Sequence, residues 1–128
     1  MFERINDFAS RPWGMYETLA KGSWKNESLD KTHNWQVKVL FVGPSDAISL
    51  QRHEHRSESW VIVQGLCRVT VEDHMKLLTV GDMVQIARGK KHRIENMGRD
   101  VAVIVEVQDG CHIREDDIER FEDKYDRS

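Results

Sequence analysis

The residues best suited to chemistry in this chain are concentrated between positions 49 and 58, where the sequence reads Ser-Leu-Gln-Arg-His-Glu-His-Arg-Ser-Glu. On an extended strand, residues two apart share a face, so Gln51 and His53 point the same way and His55 is next in register. Imidazole nitrogens at this density beside a carboxylate suit Zn²⁺, Mn²⁺, Fe²⁺, Co²⁺ or Ni²⁺ and disfavour Ca²⁺. The segment therefore predicts a divalent metal site, with zinc as the first candidate.

A further histidine, His92, lies in a second segment that is rich in turn residues. That segment predicts a strand, a turn and the start of another strand, which would carry His92 back to the first cluster. The two segments together resemble the two-part signature of the cupins: a pair of ligands, a Glu followed by a Gly, then a Gly-rich turn with His and Asn. The residues that carry this resemblance are Glu58, Gly65, Gly81, Gly89, His92 and Asn96. The resemblance implies a double-stranded β-helix, also called a jelly-roll barrel.

The spacing does not decide which two residues before Glu58 form the pair of ligands. The usual cupin spacing selects His53 as the second member of the pair and makes Gln51 its partner. Taking His53 and His55 as the pair would leave a tighter gap to Glu58. We therefore expect Gln51, His53, Glu58 and His92 to hold the metal, with His55 adjacent to it or substituting for Gln51.

The elements that must position these residues are predicted to be short strands. Between residues 35 and 107, β-type runs alternate with turn residues, and no helical run separates them. This pattern is typical of an antiparallel sandwich or barrel, and it lacks the crossover helices of a parallel sheet. We expect one all-β cupin domain over residues 1–128 with a barrel core at about 35–108. The predicted strands are 35–42, 47–53, 60–63, 66–71, 76–80, 83–86 and 101–107.

The two ends of the chain differ from this core. Residues 1–31 hold the motif Arg11-Pro12-Trp13-Gly14 and show little periodicity. They predict an irregular N-terminal arm, to which a short edge strand could belong. Residues 116–125 place Ile118, Phe121 and Tyr125 at helical spacing. Acidic residues crowd the first turn, where the helix dipole favours negative charge. This end predicts one short C-terminal helix laid against the barrel.

Composition narrows the classes of partner and the location. The chain has 128 residues and a formal net charge of −3, which gives no general attraction to nucleic acid or to anionic membranes. No apolar stretch approaches the length that crosses a bilayer, and the acidic N-terminus does not resemble a secretory signal. The two cysteines lack CxxC spacing, so we expect a reduced, cytoplasmic setting.

Several stretches beyond the cupin signature are similar to one family in particular. They are Arg11-Pro12-Trp13-Gly14 with Tyr16, residues 35–38, 50–58 with Trp60, Gly89 with 92–96, 104–108 with Gly110, 115–120 and 123–125. Together they resemble the type II mannose-6-phosphate isomerase domain, which also forms the C-terminal part of bifunctional mannose-1-phosphate guanylyltransferases. The nucleotidyltransferase half, with its Gly-rich nucleotide loop, has no counterpart in these residues, so the resemblance does not imply guanylyl transfer.

The resemblance implies a metal-dependent interconversion of mannose 6-phosphate and fructose 6-phosphate, or of a related aldose and ketose phosphate. Such a reaction moves a proton between C1 and C2, while a divalent cation stabilises the negative charge that develops on oxygen. A base with a pKa near neutrality carries the proton; His55 is the first candidate and Glu106 the second. The candidates for binding the substrate phosphate are Arg56, Lys90, Lys91 and Arg93, with Lys38 facing either the cavity or solvent.

The chain also departs from the family's pattern. Ser59 stands where the family usually has a histidine, and Ala87 takes the place of a customary proline. These departures leave a second hypothesis open, a non-catalytic metal cupin that binds a sugar or another metabolite. A third hypothesis is a different metal-cupin chemistry, such as dioxygen-dependent cleavage.

A homodimer is expected from the predicted strand at 47–53. Ile48 and Leu50 would face away from Gln51 and His53, on the back of the sheet. An apolar back face is a surface that a second subunit can cover.

Overall fold

The computed structural model describes residues 2–122, which form eleven β-strands and, within that range, no helix. The prediction of an all-β fold is therefore confirmed, and the described part of the chain holds no helix capable of crossing a membrane. The strands are β1 (Phe2–Arg11), β2 (Gly14–Asn26), β3 (Lys31–Val42), β4 (Leu50–Arg52), β5 (Arg56–Gln64), β6 (Cys67–Val71), β7 (His74–Leu78), β8 (Met83–Ile86), β9 (His92–Asn96), β10 (Ala102–Gly110) and β11 (Glu119–Glu122).

The strands form two antiparallel sheets that share one core. The six-stranded sheet has the order β1-β2-β3-β10-β5-β8, and the five-stranded sheet has the order β11-β4-β9-β6-β7. Leu40, Ile62 and Ile104 from the first sheet pack with Val69 and Ile94 from the second. The sheets therefore lie face to face, with inward side chains from both filling the space between them.

Alternation along the central strands decides what lies inside. In β5 every second residue is buried, beginning with Arg56 and Glu58 and continuing with Trp60 and Ile62. Burying the two charged residues requires partners inside the barrel, whereas the tryptophan and isoleucine only need to pack. The interior is therefore polar at one end of β5 and apolar at the other.

The irregular N-terminal arm expected for residues 1–31 was the wrong prediction. β1 and β2 form a long antiparallel hairpin, and β2 extends the six-stranded sheet by pairing with β3 from Gly14↔Val42 to Asn26↔Lys31. Much of β2 is exposed, so it lacks the apolar alternation that sequence reading relies on. Its strand conformation is set by pairing with β3 rather than by its own composition.

The predicted C-terminal helix is also wrong for the residues that the structure describes. Residues 116–118 lie outside any helix, Glu119–Glu122 forms β11 against β4, and residues 123–125 fall outside the described range. Phe121 receives the side chains of Arg52 and Lys91 over its ring, at 5.5 and 4.1 Å from the ring centroid. Phe121, one of the residues whose spacing suggested a helix, thus makes these contacts from a strand.

Ile48 does not lie on the back of the sheet. It is 5% exposed and belongs to the core, because residues 47–49 precede the short strand β4 and follow no regular alternation. Leu50 is half-buried. The surface argument for a homodimer therefore loses one of its two residues.

Candidate metal centre

Three buried side chains from the two distant segments meet inside the barrel. His53, Glu58 and His92 each offer one ligand atom, and these atoms lie within 4.8 Å of one another. The Nε2 atom of His53 is 3.3 Å from Glu58 Oε2, and the Nε2 atom of His92 is 3.4 Å from Glu58 Oε1. This is the size and donor type of a site for one divalent cation.

Both sheets contribute to this group. Glu58 faces inward from β5 of the six-stranded sheet, and His92 begins β9 of the five-stranded sheet. His53 directly follows β4, in which Gln51 pairs with His92 across the ladder. The site therefore lies between the sheets, where packing of the whole barrel fixes the distances.

Hydrogen bonds fix the direction of both imidazole rings. The Nδ1 atom of His53 donates to the carbonyl of Asp117 at 2.6 Å, and Nδ1 of His92 donates to the carbonyl of Lys90 at 2.9 Å. Because a carbonyl oxygen only accepts, each Nδ1 carries a proton and each Nε2 is turned toward Glu58. Such a second hydrogen bond is the usual way in which a metal-binding histidine is oriented.

A metal ion fits the unsatisfied atoms of this group. Glu58 Oε1 and His92 Nε2 are both buried and have no hydrogen-bond partner within residues 2–122. A buried oxygen or nitrogen without a partner is costly, and a cation between these two atoms would satisfy both. Imidazole nitrogens with a carboxylate oxygen suit Zn²⁺ and several other transition-metal ions.

The ionisation of the group is set by burial and by its neighbours. Burial lowers the pKa of His53 from 6.5 to about 4, so the imidazole is neutral near pH 7. Burial raises the pKa of Glu58, but the adjoining His92, His53 and Arg56 outweigh it and hold that pKa well below its ordinary value. A neutral imidazole beside an ionised carboxylate is the protonation state that a metal ion requires.

Gln51, which the sequence predicted as a ligand, lies beside the group. Its amide nitrogen is 3.4 Å from His53 Nε2, and its amide oxygen accepts a hydrogen bond from Ser49 Oγ at 2.8 Å. The oxygen is therefore engaged with Ser49 in this arrangement, and a ligand role for Gln51 stays a prediction.

Arg56 is brought into the site, but its guanidinium group is already engaged there. Its Nε atom donates to Glu58 Oε2 at 2.9 Å, and its Nη2 atom lies 3.2 Å from His53 Nε2. The remaining nitrogen donates to the carbonyl of Arg114 at 3.0 Å. Arg56 therefore balances the charge of Glu58, which differs from the predicted role of binding a substrate phosphate.

His55 is not brought to the cavity. Its side chain is 47% exposed and meets the ring of His112 at a centroid distance of 5.5 Å. The chain bends at residues 54 and 55, so the two-residue alternation that runs through Gln51 and His53 is broken. Arg56 instead of His55 resumes the inward face.

Of three other predicted phosphate-binding residues, one lies in the barrel interior and two lie outside it. Lys90 is exposed in the turn before β9. Arg93 follows the inward-facing His92 and thus lies on the opposite face of β9, where it contacts Glu122 at 3.2 Å. Lys38 is buried and forms an ion pair with Glu115.

Glu106 lies on the same interior face as Lys38. The register of β10 places Glu106 between Lys38 on β3 and Trp60 on β5. Burial raises the pKa of Glu106 well above its ordinary value, and the negative charge of Glu58 adds to this effect. Gln108 donates to Glu106 Oε1 at 3.3 Å. Two carboxyl groups with pKa values moved in opposite directions are typical of acid–base sites.

These groups surround a cavity of about 110 Å³. Gln51, Arg56, Glu106 and Lys38 all contribute to its wall, beside residues that the sequence reasoning had not assigned to the site. Gln108 could have been found, because it shares a strand face with Glu106, whereas the C-terminal residues were taken for a helix. The unassigned residues include Arg11, Tyr16, Gln108, Glu115, Ile118 and Arg120.

Comparison with protein families gives a match over nearly all of the described chain. Residues 3–123 match the family described as the C-terminal domain of mannose-6-phosphate isomerase. The resemblance inferred from the sequence is therefore confirmed at the level of the family.

Curated relatives are much longer than this chain. A mannose-1-phosphate guanylyltransferase of Salmonella montevideo is 41% identical over 118 residues, which are 92% of this chain and 23% of that protein. The alginate biosynthesis protein AlgA of Pseudomonas syringae pv. tomato is 42% identical over 118 residues, which are 92% of this chain and 22% of that protein. The chain thus spans less than a quarter of the length of these relatives.

Solved structures agree on the fold. The capsular polysaccharide assembling protein CapF of Staphylococcus aureus matches with a TM-score of 0.70 and 17% identity, over 94% of this chain and 32% of that one. A Klebsiella pneumoniae protein with a double-stranded β-helix domain matches with a TM-score of 0.61 and 20% identity, over 69% and 75%. The cupin domain of Schizosaccharomyces pombe Cnp3 matches with a TM-score of 0.59 and 18% identity, over 74% and 64%. The predicted cupin fold is confirmed.

Proposed function

This chain belongs to the mannose-6-phosphate isomerase C-terminal family, and from that premise we propose that it is a metal-dependent sugar-phosphate isomerase. Its substrates would be mannose 6-phosphate and fructose 6-phosphate, or a related aldose and ketose phosphate. One observation carries the proposal: the His53–Glu58–His92 group, with its two unsatisfied atoms, is in contact with Gln51 and Arg56, and these two residues line a cavity together with the buried carboxyl of Glu106. Metal ligands and an acid–base group are the two components that aldose–ketose exchange needs.

His53, Glu58 and His92 would hold the divalent ion, with Gln51 beside them. When bound, this ion would polarise the carbonyl and hydroxyl oxygens of the sugar. The carbonyl groups of Asp117 and Lys90 keep the Nε2 atoms of both imidazole rings turned toward Glu58, where they could hold the ion. His92, His53 and Arg56 together hold the pKa of Glu58 low enough to keep its carboxylate ionised, and Arg56 Nε donates to one of its oxygens.

Glu106 is our candidate for the group that moves the proton. Burial and the negative charge of Glu58 raise the pKa of Glu106 well above its ordinary value, and a buried carboxyl group that holds its proton more tightly than usual is suited to acid–base catalysis. Gln108 donates to Oε1 of Glu106, and a hydrogen bond with Glu58 links the same carboxyl group to the metal site, so Glu106 is held beside the place where the proton between C1 and C2 would move. His55, the first candidate from the sequence, is too far out on the surface to share this task.

The substrate phosphate needs a cation that is not already neutralised. Arg120 is suited to this, because it lines the cavity and its buried Nε atom has no hydrogen-bond partner. Arg11 also lines the cavity and donates to two neutral oxygens, those of Tyr16 and the Ser10 carbonyl. Lys38 and Arg56 are paired with carboxylates, so they are weaker candidates than the sequence suggested.

Direct assay of the metal-loaded protein tests the proposal. Mannose 6-phosphate is incubated with the protein, and fructose 6-phosphate is followed by NMR. Activity should disappear on chelation and return when a divalent metal is added. Absence of turnover with hexose and pentose phosphates in metal-loaded protein would refute the proposal.

A metal cupin that binds a sugar phosphate without converting it is the second candidate. The engagement of Arg56 with Glu58 and His53 favours it, because the guanidinium group competes with an ion for the same atoms. Ser59 does not favour it, since β5 turns that residue away from the face that carries Glu58. A ligand that raises the melting temperature of the metal-loaded protein without being converted would support this candidate.

We also propose a homodimer and a cytoplasmic location, as expected from the sequence. With Ile48 in the core, the apolar surface that a second copy can cover includes Met75 and Leu77 of β7, which are 65% and 59% exposed. β7 is an edge strand of its sheet. Sedimentation equilibrium should give twice the chain mass, and a monomer at micromolar concentration would contradict the dimer.

A further inference from the structure

Asp117 contacts the loop that carries His53 through three hydrogen bonds. Its backbone carbonyl accepts from His53 Nδ1 at 2.6 Å. Its two carboxylate oxygens accept from the backbone amides of Glu54 and His55 at 3.0 and 2.9 Å. A single residue, 64 positions further along the chain, therefore touches both the ring and the backbone of this loop.

The three bonds work together on the orientation of His53. The carboxylate bonds to the amides of Glu54 and His55 fix Asp117 against the bend in the chain. In that position the Asp117 carbonyl accepts a hydrogen bond from His53 Nδ1. The lone pair of His53 Nε2 then faces Glu58. Gly89 donates to the carbonyl of His53 at 2.8 Å from the other side, so the backbone and the ring are both held.

We propose that Asp117 is a positioning residue that sets the affinity of the His53–Glu58–His92 site for a divalent cation. This inference rests on the metal site of the proposed function. Neighbours of a metal ligand that fix its tautomer and angle typically contribute about 10–100-fold to metal affinity. Asp117 has this relation to His53, although it cannot reach the ion itself.

Other contacts hold the same segment and do not depend on Asp117. Arg56 donates to the carbonyl of Arg114, and Lys38 pairs with Glu115. Removal of the Asp117 carboxylate would therefore leave residues 114–115 attached to the barrel. The loss should be confined to the bend at residues 54–55 and to the angle of the His53 ring.

Metal titration of the wild type and three variants tests this inference. The full chain is stripped with a chelator and titrated with Mn²⁺ by calorimetry, as the wild type, D117A, D117N and the control D116A. Asp116 precedes Asp117, but its side chain is 79% exposed and lies only near Arg114, at 3.7 Å. We expect D117A to weaken the Kd by about 10–100-fold and D116A to leave it unchanged. D117N should fall between them, because its amide keeps one accepting oxygen and presents an NH₂ group to the other N–H.

A double-mutant cycle separates positioning from a general loss of structure. If Asp117 acts through His53, adding D117A to H53A should cause no further loss of Mn²⁺ affinity. An additive loss, or equal Kd values for D117A, D117N and the wild type, would overturn the inference. A wild type that binds no divalent cation would overturn both this inference and the proposed function. A wild type that binds Mn²⁺ but isomerises nothing would refute the proposed function alone, and the affinity comparison would still decide the role of Asp117.

Discussion

Glu58 Oε1 and His92 Nε2 face each other at 3.4 Å in the interior of the barrel, and neither has a hydrogen-bond donor among the described residues. His92 donates a hydrogen bond from Nδ1 to the carbonyl of Lys90. In this tautomer, a lone pair on His92 Nε2 and a lone pair on Glu58 Oε1 point toward each other. Burying two acceptors in this way is unfavourable without a cation between them. The relationship is therefore the strongest structural argument that the site binds a metal.

Acid should destabilise the metal-free protein through His53. The unfolded imidazole has a pKa of 6.5, and burial lowers the folded value to about 4, so the unfolded state binds the proton first. The stability associated with neutral His53 is thus present above pH 6.5 and is lost as pH falls toward 4. We expect a loss of up to about 3 kcal/mol in the free energy of unfolding.

Urea unfolding in the presence of a chelator measures this effect between pH 7 and pH 4.5. H53Q should flatten the pH dependence, whereas H74Q, a change at an exposed position of β7, should retain it. An equally steep decline in H53Q would show that His53 is not the group responsible.

Glu106 and His55 should differ in their effect on turnover. E106Q removes the ionisable carboxyl group while keeping an oxygen that accepts from Gln108, so kcat should fall by about 10²–10⁴-fold in protein that is saturated with Mn²⁺. H55A changes a side chain outside the cavity and should leave kcat close to that of the wild type. Steady-state kinetics with mannose 6-phosphate would contradict this assignment if H55A were the more damaging change.

Gly110 should not tolerate a side chain. A Cβ atom there would lie 2.1 Å from the carbonyl oxygen of His55 and 2.9 Å from Arg56 Cα, where the backbone has no room to give way. G110A should therefore cost about 1–3 kcal/mol of stability and displace Arg56 from Glu58. The control is G98A, whose Cβ would meet no atom closer than 3.5 Å. Thermal unfolding of the two variants measures the difference, and equal melting temperatures would count against this prediction.

The sequence was most informative where metal-binding residue types occur at a recognisable spacing. His53, Glu58 and His92 could be singled out because metal-binding residue types recur at cupin spacing, and the structure brings these three together. Their role as ligands stays a prediction. Glu106 and Lys38 also lie inside, because alternation along β10 and β3 remains regular.

The sequence misled where a distant residue changes the local geometry. Strand alternation predicted that His55 points inward. The Asp117 carboxylate instead accepts hydrogen bonds from the backbone amides of Glu54 and His55 and stabilises a bend between β4 and β5. Arg120 was missed because the apolar spacing around it also fits a helix. The hydrogen bond between Asp117 and Glu54 and the pairing of β11 with β4 cannot be predicted from the local sequence, since each joins segments more than sixty residues apart.

Calorimetric titration of the chelator-stripped wild type and of E58Q with Mn²⁺ and Zn²⁺ tests the metal site most directly. Gln at position 58 keeps the shape of Glu58 and can donate its NH₂ group to His92 Nε2, which would satisfy that atom without an ion. We expect the wild type to bind one ion per chain, E58Q to bind none, and E27Q, a change in an exposed turn, to match the wild type. Failure of the wild type to bind either ion, or unchanged binding by E58Q, would contradict the site described above.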